Sequence, residues 1–252
     1  MVMRVGGALL AVSIVAAAGC TAAKDVRVAE DIAVSFEAPL READERAFAE
    51  RLPEERRRLR AWWGATYEGT IRIKVDDAAR VSMALVPAWR GQHGLMLMPA
   101  QRVRDGMAAS LHEMVHIYAP NANRFLAEGL AVHAHQALGG VKAFPNFGAD
   151  LHALAADIAG DVPVVDAERI ATPQPLGGGA VERATYAAAG SFVAFLIERY
   201  GMEPFRRLYA MTPLRPGQRD AGAPPRWGEV YGKPLEALEA DWRRFLVDRS
   251  PR

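Results

Sequence analysis

His112-Glu113-Met114-Val115-His116, followed by Phe125-Leu126-Ala127-Glu128-Gly129-Leu130-Ala131, is the stretch that decides how this chain reads. Two histidines four positions apart share one face of a helix, one turn from each other. That geometry suits two corners of a tetrahedral zinc site. Glu113 follows the first histidine and can reach a water on the same ion. Glu128, on a second helix, is the right chemical type for a third ligand. Three protein ligands leave one position open, which marks catalytic rather than structural zinc.

The surrounding sequence supplies the helices that this site requires. Met107, Ala108, Leu111, Val115 and Tyr118 fall at helical spacing, which predicts a helix from Met107 to Ala119. Pro120 ends it, and Asn121-Ala122-Asn123 supplies a turn. Asn123 is placed to cap a second helix running to about Leu138 and closed by Gly139-Gly140. Glu128 then faces back across a tight helical hairpin, and Gly129 is expected to let the two helices approach closely.

With those residues in view, the chain resembles the gluzincin metallopeptidases, in which two HExxH histidines and a downstream helical glutamate bind zinc. It is similar, more narrowly, to the peptidase MA-like bacterial group, where the glutamate sits in an E-G-L-A phrase, here Glu128-Gly129-Leu130-Ala131. Tyr186-Ala187-Ala188-Ala189-Gly190-Ser191-Phe192-Val193, leading to Tyr200-Gly201, resembles a further helix of that group. Val230-Tyr231-Gly232 with Leu235, Leu238 and Trp242 resembles its closing helix. The resemblance covers roughly residues 60–248. Eleven residues separate His116 from Glu128, fewer than in thermolysin-like or aminopeptidase-like members, so a large insertion between the ligand helices is not expected. The resemblance implies Zn2+ as cofactor, peptide or protein as substrate, His112, His116 and Glu128 as ligands and Glu113 as general base. Tyr186 is the candidate oxyanion donor, because the resembling families often place a Tyr or His on that helix. The implied strand before the HExxH helix, Leu95–Met98, is an open edge that pairs with extended substrate. No G-x-M-E-N phrase for a free amine precedes His112, which favours an endopeptidase.

Composition sets the bounds. The 252 residues, 50% hydrophobic and 24% charged with a net charge of +1, suit one globular domain with a real core. No basic cluster with interleaved aromatics is present, which argues against nucleic acid as a partner. Arg56-Arg57-Arg58 follows Glu54-Glu55 and reads as a solvated helix face. At the N-terminus, Arg4 precedes an apolar stretch from Val5 to Ala18, too short to span a membrane and suited to a signal sequence. It ends in Ala17-Ala18-Gly19-Cys20. Cys20 is the chain's one cysteine, and a small-residue cleavage site directly before it resembles the bacterial lipobox, although Ala17 replaces the usual Leu. The expectation is a lipoprotein signal peptide over residues 1–19, lipidation at Cys20, a tether over 20–30 and a metallopeptidase domain over 31–248. Thr21 after the cysteine resembles the default for outer-membrane delivery, facing the periplasm. Acyl chains would anchor the protein, and no other segment reads as long or apolar enough to cross a membrane. Without its first 19 residues the chain loses Arg4 and becomes neutral, with no thiol left for a disulfide once Cys20 is acylated.

Along the chain, Ile32–Phe36 alternates as a strand and Arg41 to about Trp63 reads as a long helix with Pro53 as a break or restart. Thr70–Val75, Val81–Val86 and Gly94–Pro99 are further strands. Residues 140–180 are loop-rich, with one short helix, Leu151–Ile158, and a Gly177-Gly178-Gly179 tract. Helices fill the rest apart from a Pro213–Pro225 loop. Strands first and helices later predict an α+β fold, a small mixed sheet packed on the HExxH helix with a mainly helical, zincin-like lobe beyond. Tyr118 reads as core. His135 shares Glu128's helix face but lies about 10 Å along the axis, too far for one ion. His133 is a possible hydrogen-bond partner to a ligand, and His93 and His152 stand alone. Two functions fit: a lipid-anchored zinc peptidase, and a non-catalytic zinc-holding lipoprotein that binds envelope partners. An intact Glu113 favours the first.

Overall fold

The computed structural model describes residues 24–85, 94–168, 180–215 and 220–249. Alternation builds the sheet. In β2 (Ile32–Phe36), β3 (Ile71–Asp76) and β5 (Gly94–Pro99), every second side chain is buried on one face: Ile32, Val34 and Phe36, then Ile71, Ile73 and Val75, then Met96 and Met98. β1 (Lys24–Ala29) and β4 (Met83–Leu85) complete a five-stranded sheet in the order β1-β2-β3-β5-β4. The outer pairs are antiparallel and the two inner pairs parallel, so the sheet is mixed.

Helices cover the buried face. The 22-residue α1 (Glu42–Trp63) lays Phe48, Leu52, Leu59 and Trp63 on it, with Phe36 and Phe48 edge to face at 6.4 Å. After β5 come α2 (Ala100–Arg104), α3 (Ser110–Tyr118) and α4 (Arg124–Ala137). The helical lobe continues with α5 (Leu151–Ile158), α6 (Val164–Glu168), α7 (Ala180–Tyr200), α8 (Met202–Ala210), α9 (Arg226–Tyr231) and α10 (Leu235–Arg249). The expected α+β architecture is what the chain adopts.

Several local expectations change. Residues 24–29, read as tether, form an edge strand: Lys24 pairs with Phe36 and Val26 with Val34 around a two-residue turn, and Val26 and Val28 pack against the core. Pro53 does not break α1. Leu52, Glu55 and Leu59 around it are buried, and their packing outweighs the missing hydrogen bond. The HExxH helix starts at Ser110 rather than Met107, because Gly106, at a φ of 66°, ends the short α2 first. β5 is not an edge, since β4 pairs along it through Met83↔Leu97 and Leu85↔Leu95. Among the described residues the open edge next to α3 therefore belongs to β4, whose upstream Val81 lies outside the strand and whose downstream Val86 lies outside the described residues. Ala180–Tyr200 is long and apolar enough by composition to cross a membrane, contrary to expectation. It is apolar nearly all round because α4 and α5 bury it from different sides, as fits a core helix. The glycine tract at 177–179, His93 and Cys20 lie outside the described residues.

Candidate metal centre

α1 holds the first ligand helix at both ends. At the start of α3, Ser110 Oγ donates to the buried Glu55 carboxylate at 2.5 Å, and Arg51 donates to the Ala108 carbonyl. At its end, Arg56 Nε donates to the Tyr118 hydroxyl at 2.6 Å, so Tyr118 is a core residue as expected. The hairpin turn is pinned from the other lobe. Asn121 Nδ2 donates to the Tyr209 carbonyl at 2.6 Å, and its Oδ1 accepts from Thr212 Oγ1 at 2.8 Å. Asn123 caps α4 as predicted, accepting from the Leu126 N–H at 2.9 Å. Its amide donates to Glu168 Oε1 at 2.7 Å, and Glu168 forms a buried ion pair with Arg226.

Gly129 serves a different partner from the one expected. A Cβ there would lie 2.5 Å from the Ala189 carbonyl oxygen and 2.7 Å from a Val193 methyl, both on α7. Gly190 reciprocates against Val132 at 2.5 Å. Neighbouring helix positions point about 100° apart, so Glu128 can face α3 only while Gly129 faces elsewhere.

Between these supports, three side chains converge. His112 Nε2 lies 3.2 Å from Glu128 Oε2, His116 Nε2 lies 3.4 Å from the same oxygen, and the two Nε2 atoms are 3.3 Å apart. This is the group of described residues able to hold a metal ion. Ligands about 2.0–2.1 Å from a tetrahedral zinc stand about 3.3 Å from one another, so the triangle has the size the ion demands. Burial alone would push the Glu128 carboxyl up, but the two histidines outweigh it and hold the group well below its ordinary range. Two imidazoles and a carboxylate kept anionic form a donor set that fits Zn2+.

Glu113 is buried beside the triangle. Loss of water pushes its carboxyl up to about 7, opposed by His112 and by a hydrogen bond from the Ala84 backbone on β4. The ligands and Glu113 line a cleft of about 470 Å³, bordered by β4 on one side and by Arg124, Glu182 and Tyr186 on the other. A larger hollow of about 680 Å³ lies along β1–β3 and contains none of these residues. Tyr186 on α7 thus reaches the cleft, where its hydroxyl oxygen accepts from Arg124 Nη2 at 3.3 Å.

The remaining histidines are elsewhere. His133 packs edge to face on Trp62 at 5.7 Å. His135 donates from Nε2 to the Val141 carbonyl at 2.7 Å. His152 is not alone: buried, it bridges Ser191 Oγ at 2.9 Å and Glu198 at 3.1 Å, and Ser191 Oγ also accepts from Trp242 Nε1. Sequence reasoning missed Arg124, Glu182 and Ala84. Arg124 had a signal, standing one helical turn before Glu128.

No protein-family model and no curated protein matches the chain. Solved structures do. Native leukotriene A4 hydrolase from Saccharomyces cerevisiae aligns with 91% of this chain and 39% of its own, at 14% identity and a TM-score of 0.53. The fold is zincin-like. The M1 zinc metallopeptidase from Deinococcus radiodurans aligns with 87% of this chain and 50% of its own, at 18% identity and a TM-score of 0.48. The chain therefore spans half or less of the length of these neighbours.

Proposed function

We propose that this chain is a zinc-dependent peptide hydrolase of gluzincin type, cutting within polypeptides. One observation carries the reading: His112, His116 and Glu128 present a zinc-sized triangle of donor atoms, and Glu113 is buried beside it in an open cleft. His112, His116 and Glu128 would hold the ion. Bound zinc polarises water and brings its pKa toward neutrality, making a nucleophile available at ordinary pH. Glu113 takes the proton of the attacking water on its carboxylate and returns it to the leaving nitrogen. Its carboxyl stands near 7 from burial, and a cation at the adjacent triangle draws it down toward the ionised form a base requires. Tyr186, in the same cleft, donates a hydrogen bond from its hydroxyl to the carbonyl oxygen as charge develops there.

The β4 edge supports the choice of substrate. An extended peptide can pair with unsatisfied backbone on such an edge without demanding a particular sequence. Met83 and Leu85 stand 44% and 41% exposed beside it, available to neighbouring apolar side chains. Cys20, four residues before the start of β1, supports a periplasm-facing lipoprotein of the outer membrane, held close to the bilayer.

Glu113→Gln in the full-length protein tests the reading. Zinc stoichiometry should stay at that of wild type, while hydrolysis of a broad peptide library falls by about 10²–10⁴-fold. Mass spectrometry of wild-type products should show internal cuts. A wild type as inert as the variant would leave the alternative, a zinc-holding binding module for envelope partners.

A further inference from the structure

Arg124 opens α4 one turn before Glu128 and lines the cleft. Its Nη2 lies 3.3 Å from Glu128 Oε1 and 3.3 Å from the Tyr186 hydroxyl oxygen. The histidines lie 3.2 and 3.4 Å from the other carboxylate oxygen, Oε2. A contact on Oε1 therefore fixes the rotation of the carboxylate about its last bond and leaves Oε2 aimed at the triangle. Tyr186 is constrained in a complementary way. A guanidinium has donors and no acceptor, so the phenol oxygen can only accept from it. The single phenol proton must then point elsewhere, and Tyr186 lines the cleft.

We infer that Arg124 is a positioning residue serving both walls of the site, orienting Glu128 through Oε1 for the ion and turning the Tyr186 hydroxyl proton into the cleft. The Glu128 half stands on geometry alone, and the Tyr186 half rests on the hydrolase reading above. The two walls come from α4 and α7, whose candidate ligand and proton donor are otherwise independent in sequence. One side chain thus couples metal binding to the placement of a proton donor. Both contacts fall on one nitrogen, Nη2, so a lysine ammonium has donors for both but on a shorter stem and should restore them only in part.

The test uses full-length Arg124→Met, Arg124→Lys, Tyr186→Phe and the Arg124→Met/Tyr186→Phe double variant, with two readouts. In the first, metal-free protein competes with a chromogenic chelator for zinc. Arg124→Met should bind zinc roughly 10–100-fold more weakly, Arg124→Lys should recover part of the loss, and Tyr186→Phe should stay within about twofold of wild type. In the second, peptide hydrolysis is followed at saturating zinc. Arg124→Met and Tyr186→Phe should each lower kcat with KM within about twofold, and the double variant should be no slower than the slower single one, because one hydroxyl carries both effects. Wild-type zinc affinity in Arg124→Met, or kcat losses that multiply in the double variant, would overturn the inference. If the methionine variant fails to fold, Arg124→Gln takes its place in both measurements. A wild type that binds zinc yet hydrolyses nothing would sink the hydrolase reading and the Tyr186 half, while the zinc competition would still decide whether Arg124 orients Glu128.

Discussion

Gly129→Ala should destabilise this protein and weaken its zinc site, although the same change in most helices is stabilising. On propensity alone, alanine in the interior of α4 gains about 1 kcal/mol over glycine. The space beside it reverses the sign. The new Cβ would sit 2.5 Å from the Ala189 carbonyl oxygen and 2.7 Å from a Val193 methyl, where ordinary contact begins at 3.4 Å. The carbonyl is backbone and cannot rotate away, so α4 must retreat from α7 by about 1 Å, a gap that forfeits a quarter to a half of the dispersion attraction along that seam. Overpacking of this kind costs about 1–3 kcal/mol, and an obstacle of backbone puts it at the upper end. The net loss is about 1–2 kcal/mol, a fall of roughly 2–8 °C in Tm for a domain of this size. The retreat also carries Glu128, the adjacent residue, so the 3.2 and 3.4 Å separations from the histidines change and zinc affinity drops. Thermal melts of metal-free and zinc-loaded protein, with a chelator competition, measure both effects. Gly228→Ala in α9 is the control, because a Cβ there meets nothing within 4 Å and should leave Tm unchanged or raised. A Gly129→Ala protein that melts at or above wild type with unaltered zinc affinity would refute the reasoning.

Two further outcomes are expected. Burial lowers His133 and His135 from 6.5 to about 4, and His135 Nδ1 is enclosed without a partner, so both stay neutral in the folded chain while the unfolded chain takes up protons below about 6.5. Stability is thus fully present above pH 6.5 and falls as pH drops toward 4, on the order of 3 kcal/mol per histidine, and imidazole NMR resonances titrating near 6.5 for these two would contradict it. Cys20→Ser should move the protein from the membrane fraction to the soluble periplasmic fraction, and retention in the membrane would remove the lipid anchor from the proposed function.

Much of the site was legible because its information is local. The spacing of His112 and His116, the Asn123 cap and the stop at Pro120 each depend on residues within one or two helical turns, where backbone geometry alone dictates who meets whom. The strands at 32–36, 71–76 and 94–99 announce themselves by alternation. What escaped depends on distant partners. β4 is three residues long, and nothing in Met83-Ala84-Leu85 says that it will lie outside β5 and take over the open edge. The strand at 24–29 carries Lys24, Asp25 and Arg27 on its exposed positions, which hides the alternation of Val26 and Val28. Gly129 was correctly read as a site of close approach, but its partner lies 60 residues on, at Ala189. The pairing of His152 with Ser191 and Glu198 likewise spans elements that only packing brings together.

These distant contacts explain how the donor atoms are held so close together. Packing elsewhere sets the 3.2 to 3.4 Å separations of the three donor groups. The two histidines are braced from α1, through Ser110 and Tyr118 at the two ends of α3. Glu128 is braced from the opposite lobe, through Gly129 against α7 and through Asn123 on Glu168. The sheet side and the helical side thus each contribute part of the triangle, and the turn at Asn121, tied to α8, fixes the distance between them. The short link of eleven residues between His116 and Glu128 follows from this arrangement. With both helices independently buttressed, the connection has only to reverse the chain, and a longer insertion would add closure entropy without adding a constraint.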